Sequence, residues 1–78
     1  RVAIGFSLGR AGPVTAKVYN RAGRLVRELS PGVQMNAGAN LVYWDGLDGS
    51  GQGVTSGVYL VTVEALGQKR TLPVAVVR

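Results

Sequence analysis

The sequence contains no cysteine and no histidine. The first absence removes a disulfide scaffold; together they remove the usual ligand sets of zinc, haem and iron–sulfur clusters, as well as Cys–His and Ser–His–Asp catalysis. The lack of cysteine does not specify a redox compartment, since exported bacterial domains also do without it. Long apolar runs are missing too. Nothing approaches the roughly 18 consecutive apolar residues of a membrane-spanning helix. The opening Arg1-Val2-Ala3-Ile4-Gly5 lacks the apolar stretch of a signal peptide, so any export signal is expected to lie upstream or to have been removed. Proline is sparse, at three residues, and acidic residues number only four.

What is present is an apolar chain of 78 residues, 46% hydrophobic and 17% charged, with twelve glycines. That balance is too apolar for disorder and too short for two cores, so residues 1–78 are expected to form a single domain. A domain of this size buries only about 60% of the surface its unfolded chain exposes, which leaves thin margins. Nine basic against four acidic residues give a net charge of +5. Such a charge favours anionic partners without specifying one.

Apolar residues recur at a spacing of two between clusters of Gly, Asn, Asp and Ser, and no segment keeps a 3.6-residue period for three turns. The chain therefore reads as all-β. Val2, Ile4, Phe6 and Leu8 share one face of a first strand. After a turn over residues 9–13, Val14, Ala16 and Val18 alternate with Thr15, Lys17 and Tyr19. A turn at Asn20-Arg21-Ala22-Gly23 leads into a third strand over residues 24–29, where the three-residue step from Val26 to Leu29 breaks the alternation: either a bulge lies between them, which is favoured, or Leu25 and Leu29 face inward with Arg27 between them. Residues 30–36 read as a loop.

The next strand, residues 39–44, points Asn40, Val42 and Trp44 inward and Leu41 and Tyr43 outward. A glycine-dense turn system follows over 45–57, with room for a short strand near Val54. Residues 58–65 read as the longest strand. After a turn at Leu66-Gly67-Gln68, residues 69–77 close the chain, with Leu72, Val74 and Val76 inward and Pro73 requiring an edge or bulge. Six to seven short antiparallel strands argue for a two-sheet sandwich, with a small barrel as the rival. The expected core is Ile4, Phe6, Val18, Val42, Trp44, Tyr59, Val61, Val63, Val74 and Val76.

Candidate chemistry is sparse. Asp48, Ser50 and Gln52 have the spacing of the first ligands of a calcium loop, but Tyr59 occupies the position of the closing Glu and only Asp45 could add a carboxylate, so a glycine-rich turn is favoured. Asp45 and Asp48 are the only nearby carboxylate pair, and no nucleophile has a base beside it. Together with the little room that a chain this short leaves for a pocket of several hundred cubic ångströms, this points away from an enzyme. Trp44 reads as a core residue and Asp45-Gly46 as a turn whose carboxylate accepts backbone N–H groups. Tyr59, after Gly57, reads as a corner tyrosine with its hydroxyl on backbone.

Lys17, Arg21, Arg24 and Arg27 gather on one hairpin with Tyr19 nearby. They could meet phosphate or acidic glycan, although a solvated face that deters edge-to-edge aggregation is favoured, and nucleic acid is not an expected partner. Leu41, Tyr43, Leu60, Pro73, Ala75 and Val77 form a surplus of apolar residues directed away from the core, which suggests an outer face packed on a neighbour. Edge strands could also take a strand from another subunit.

The run Trp44-Asp45-Gly46, Asp48, Gly51, Val54, Ser56-Gly57-Val58-Tyr59 resembles the signature of the Ig-like domain of flagellar hook-capping, FlgD-type proteins and of related C-terminal modules of bacterial secreted proteins. Ile4-Gly5-Phe6-Ser7-Leu8 resembles that family's opening strand and Val18–Leu29 its hairpin, and the likeness extends to the apolar close, Val74 to Arg78. The resemblance implies an Ig-like or fibronectin-III-like sandwich, and with the usual ligand residues missing no cofactor is expected. It also implies a non-catalytic accessory, sorting or surface-attachment role outside a bacterial cell, type IX secretion included. Other domains of the parent protein or secretion and surface machinery would be the partners. A self-assembling subunit of a filament or surface layer is the alternative, and a glycan-binding module the third reading.

Overall fold

The two-residue period is realised directly in the first strand. In the computed structural model, which describes residues 1–77, β1 (Val2–Leu8) buries Ile4 and Leu8, half-buries Val2 and Phe6, and exposes Ala3, Gly5 and Ser7. Arg78, the end of the apolar close, lies outside the described residues. Five further strands follow: β2 (Gly12–Tyr19), β3 (Leu25–Met35), β4 (Gly38–Trp44), β5 (Gly57–Ala65) and β6 (Gln68–Val76), with no helix among the described residues. They form a two-stranded sheet, β1–β4, and a four-stranded sheet in the order β3-β2-β5-β6, with every pair antiparallel. The fold is the all-β, two-sheet sandwich that the alternation and the strand count imply, and it is consistent with the Ig-like sandwich that the resemblance implies.

The two layers meet through alternate side chains. The small sheet supplies Ile4, Leu8, Val42 and Trp44; the large one supplies Val14, Ala16, Val18, Tyr59, Val61 and Val63; and Val54 closes one end from the 45–56 segment. Burial of each large side chain contributes about 1.5–3 kcal/mol, and Trp44, fully buried, contributes the largest surface. Leu8, Val14, Ala16 and Val54 thus join the expected core. Val74 and Val76 are only partly buried against it, because two strands cannot cover the inner face of four, and Phe6 is only partly buried because β1 is an edge strand bordering a cleft. The shortage of facing strands also leaves Leu72, on the inward register of β6, 38% exposed.

The third strand departs most from the sequence reading. Residues 30–35, expected as loop, continue β3, and at 11 residues it is longer than the nine of β5, which had been expected to be the longest. Three bulges explain why the alternation fails. Pairing steps from Val14–Val33 to Thr15–Pro31, from Ala16–Ser30 to Lys17–Glu28, and from Val18–Arg27 to Tyr19–Leu25. Gly32, Leu29 and Val26 are the extra residues, and each reverses the parity of those beyond it. Gly32 takes a φ of 75°, a conformation that glycine adopts without steric cost. Ser30, 2% exposed, satisfies its buried hydroxyl by donating to the Val14 carbonyl at 2.7 Å. Pro31 is tolerated because β3 is an edge strand.

Smaller corrections have local causes. β2 begins at Gly12, with Pro13 opposite Gln34, so the first turn is shorter than the 9–13 span. Ala65 pairs with Gln68, which leaves a two-residue turn at Leu66-Gly67 with φ of 54° and 74°, the positive values of the turn type favoured by hairpins. The last strand therefore starts at Gln68 and ends at Val76, and Val77 lies beyond it, highly exposed. Near Val54 an isolated bridge, Leu47–Gly53, stands where a short strand had room.

Replacement of Trp44 by Ala is expected to cost about 3–5 kcal/mol in urea unfolding, a large part of the total for a domain this small. Leu41→Ala, at a residue 57% exposed, should change stability by no more than about 0.5 kcal/mol.

Candidate functional site

The Trp–Asp–Gly corner is built around one peptide group. β4 carries Trp44 into the core, where its ring meets Tyr59 edge-on at 5.4 Å between centroids. A buried indole N–H needs an acceptor, and it finds the Leu47 carbonyl at 2.9 Å. The chain can present that carbonyl because Gly46, buried and at φ 78°, turns it back. The Asp45 carboxylate completes the turn by accepting the Leu47 N–H at 3.0 Å. Arg27, reaching across from β3, donates to both the Asp45 carboxylate at 3.0 Å and the Leu47 carbonyl at 3.2 Å.

The rest of the segment is self-bonded. One oxygen of Asp48 accepts the Ser50 N–H, the Ser50 hydroxyl and the Gln52 N–H at 2.7 to 3.0 Å. Donor hydrogens therefore converge where a cation would have to sit, and the arrangement is an anion-filled turn. Val54 N–H bonds the Gly46 carbonyl, and Gly49 N–H bonds the Val26 carbonyl, which ties the turn to β3. Gly57, at φ 156°, opens β5. Two residues on, the Tyr59 hydroxyl donates to the Thr55 carbonyl at 2.7 Å while its ring is buried.

The hairpin cations do not form one patch. Arg27 is withdrawn into the ion pair with Asp45, because the bulge at Val26 shifts its parity. Lys17, half-buried, stands opposite Glu28 on β3. Arg21 and Arg24 remain exposed beside a turn held by Asn20, whose side-chain oxygen accepts the Ala22 and Arg24 N–H groups at 3.0 and 2.9 Å. Tyr19 and Leu60, both half-buried, pair on the outer face of the large sheet, whereas Leu41 and Tyr43 are exposed on the small one, where Arg1 lies 4.1 Å from the Tyr43 ring centroid.

Contrary to the expectation of little pocket space, a cleft of about 400 Å³ opens between the two sheets. Its walls are residues 5–9 of β1 and the turn after it, the inner positions Gln68, Arg70 and Leu72 of β6, and Val63, Ala65 and Leu66. Sequence reasoning missed it. Phe6 read as core and Leu72 as an inward position, and only the strand count of each sheet shows that both are left partly open. The cleft holds no carboxylate and no nucleophile with a base among its lining residues.

Both corner carboxylates are held below the usual carboxylate range. For Asp45 the leading cause is the Leu47 N–H, with the Arg27 charge adding to it; for Asp48 it is the Ser50 hydroxyl, followed by the Gln52 N–H. A carboxylate with a lowered folded-state pKa stabilises the fold above its unfolded value, near 3.9, and loses that contribution as pH falls through the folded value. Melting temperature is therefore expected to drop as pH is lowered below about 4. Asp45→Asn combined with Asp48→Asn should flatten that acid limb in a pH series of thermal melts; an unchanged limb would refute the assignment.

No curated protein matches the chain closely. The family model described as the FlgD Ig-like domain matches residues 2–69, which spans the corner, the bulged hairpin and the start of β6. With most of its length accounted for in this way, the chain belongs to the FlgD Ig-like domain family.

Proposed function

We propose that this chain is a non-catalytic structural and interaction module of an exported bacterial protein, acting as an accessory, sorting or surface-attachment domain. Its family membership supports a structural part of the kind found in flagellar hook assembly. The side chains richest in chemistry support it too, because they are used within the fold. Asp45 pairs with Arg27 and Glu64 with Lys69, Asp48 fills its own turn, and Trp44 and Tyr59 are buried with their polar atoms bonded.

The observation that carries the interaction role is a row across the outer face of the large sheet. Register places Leu25, Tyr19, Leu60 and Pro73 side by side on four successive strands, with Val58 and Ala75 paired next to them. Leu25 and Val58 are exposed. An apolar strip of this length on an antiparallel sheet suits packing against a neighbouring domain of the parent or against secretion and surface machinery. The edges of the large sheet argue against open-ended self-assembly through them, since β3 carries three bulges and Pro31, and β6 carries Pro73 and two cations.

The test is Leu25→Glu with Leu60→Glu in the parent protein, followed by cell fractionation. The isolated variant should keep its β circular dichroism while the parent leaves the surface fraction. Unchanged fractionation would sink the attachment role. Light scattering of the unaltered chain should give a concentration-independent monomer mass, and growth in mass would favour the self-assembling subunit instead.

A further inference from the structure

We propose that the cleft between β1 and β6 receives one extended strand of a partner polypeptide, apolar at alternate positions and bearing a carboxylate, added to the free edge of β1. This rests on the interaction-module reading and specifies the chemistry of a partner, on a surface separate from the outer row. The small sheet has two strands facing four, and β1 bonds only β4. Its other edge, from Gly5 onward, borders the cleft instead of another strand. The opposite side of that sheet is different, because β4 packs toward β3.

Three features fit a strand and not a small molecule. First, the edge is regular: β1 pairs with β4 through seven successive residues with no register shift and contains no proline. A regular edge offers its outward N–H and C=O groups at the repeat a new strand requires, unlike the bulged or proline-bearing edges of β3 and β6. Second, the cleft floor repeats every two residues, with Gln68, Arg70 and Leu72 on β6. A strand beside β1 would direct alternate side chains onto it, and would cover the half-buried Phe6 and the exposed Leu72.

Third, the charge is unbalanced. Arg70 lines the cleft, and no ion pair engages it among the described residues. The chain's own acids are placed elsewhere: Asp45 with Arg27, Glu64 with Lys69, Asp48 in its turn, and Glu28 opposite Lys17. A carboxylate on the cleft-facing side of the incoming strand complements Arg70 and fixes its register.

The experiment is an NMR titration of the isotopically labelled chain with the peptide acetyl-Val-Thr-Val-Thr-Glu-Thr-Val-Thr-amide, and with the same peptide carrying Gln for Glu. Expected are amide shifts along β1, concentrated at Gly5 to Gly9. The Glu peptide should bind about three- to tenfold tighter than the Gln peptide, and Arg70→Gln should erase that difference while leaving weaker binding to both. Leu60→Glu should leave the titration unchanged, so failure of the outer-face role and failure of this one are distinguishable. Absence of β1 shifts at millimolar peptide, or shifts confined to β3 or β6, would overturn the proposal. So would β1 shifts that follow protein concentration without peptide, since these would assign the edge to a second copy.

Discussion

The bond from the Trp44 indole to the Leu47 carbonyl is the constraint on which the sandwich depends. The largest side chain of the core carries a polar N–H, and burying it without an acceptor would forfeit much of what its surface contributes. An acceptor three residues ahead exists only if the chain reverses at once, which Gly46 allows and Asp45 holds in place. Once the Leu47 peptide is fixed, its carbonyl also receives Arg27, so the end of β4 is joined to the edge strand of the opposite sheet. The Leu47–Gly53 bridge then returns the chain so that Val54 seals the core. Trp, Asp and Gly thus act as one device: the aromatic creates a need for an acceptor, the glycine makes the turn that meets it, and the carboxylate holds that turn.

The same logic explains the second aromatic. Tyr59 packs edge-on against Trp44, and its hydroxyl emerges where the chain descends into β5, within reach of the Thr55 carbonyl. Both rings therefore place their apolar bodies inside and secure their polar ends on backbone at the corner. Ordering the 45–56 segment in this way is local and electrostatic, through the lowered carboxyls of Asp45 and Asp48, whereas the sheets are held by aliphatic burial. Acid weakens the first without touching the second.

How far the sequence could be read follows from which interactions are local. Val2–Leu8 and the run to Trp44 alternate without interruption, so their inward faces were legible residue by residue. β3 was not, because each bulge reverses parity. Ser30, read as loop, turns out to be buried, and Arg27 turns from the hairpin surface to a carboxylate 18 positions away. A polar residue beside a proline and a glycine looks like a loop until its partner, the Val14 carbonyl, is known. The cleft was illegible for a different reason. Phe6 and Leu72 occupy inward positions in their strands, but whether an inward position is covered depends on how many strands each sheet has and which of them lies at an edge, which no window of sequence contains.

Edge management separates the two sheets and indicates where a partner's backbone could be accepted. A strand edge with free hydrogen-bonding groups invites pairing unless bulges, prolines or charges interrupt it. The large sheet interrupts both of its edges in this way, with Gly32, Leu29 and Val26 as extra residues beside Pro31 on one side and Pro73 with Lys69 and Arg70 on the other. β1 has none of these and borders a cleft in which apolar inner surface is left open. Among the described residues no ion pair engages Arg70, while the carboxylates of Asp45 and Glu64 are matched to cations elsewhere in the fold. Arg70 thus places one cation of a net-basic chain at this cleft, where a carboxylate on an incoming strand would meet it beside a backbone edge able to hold that strand.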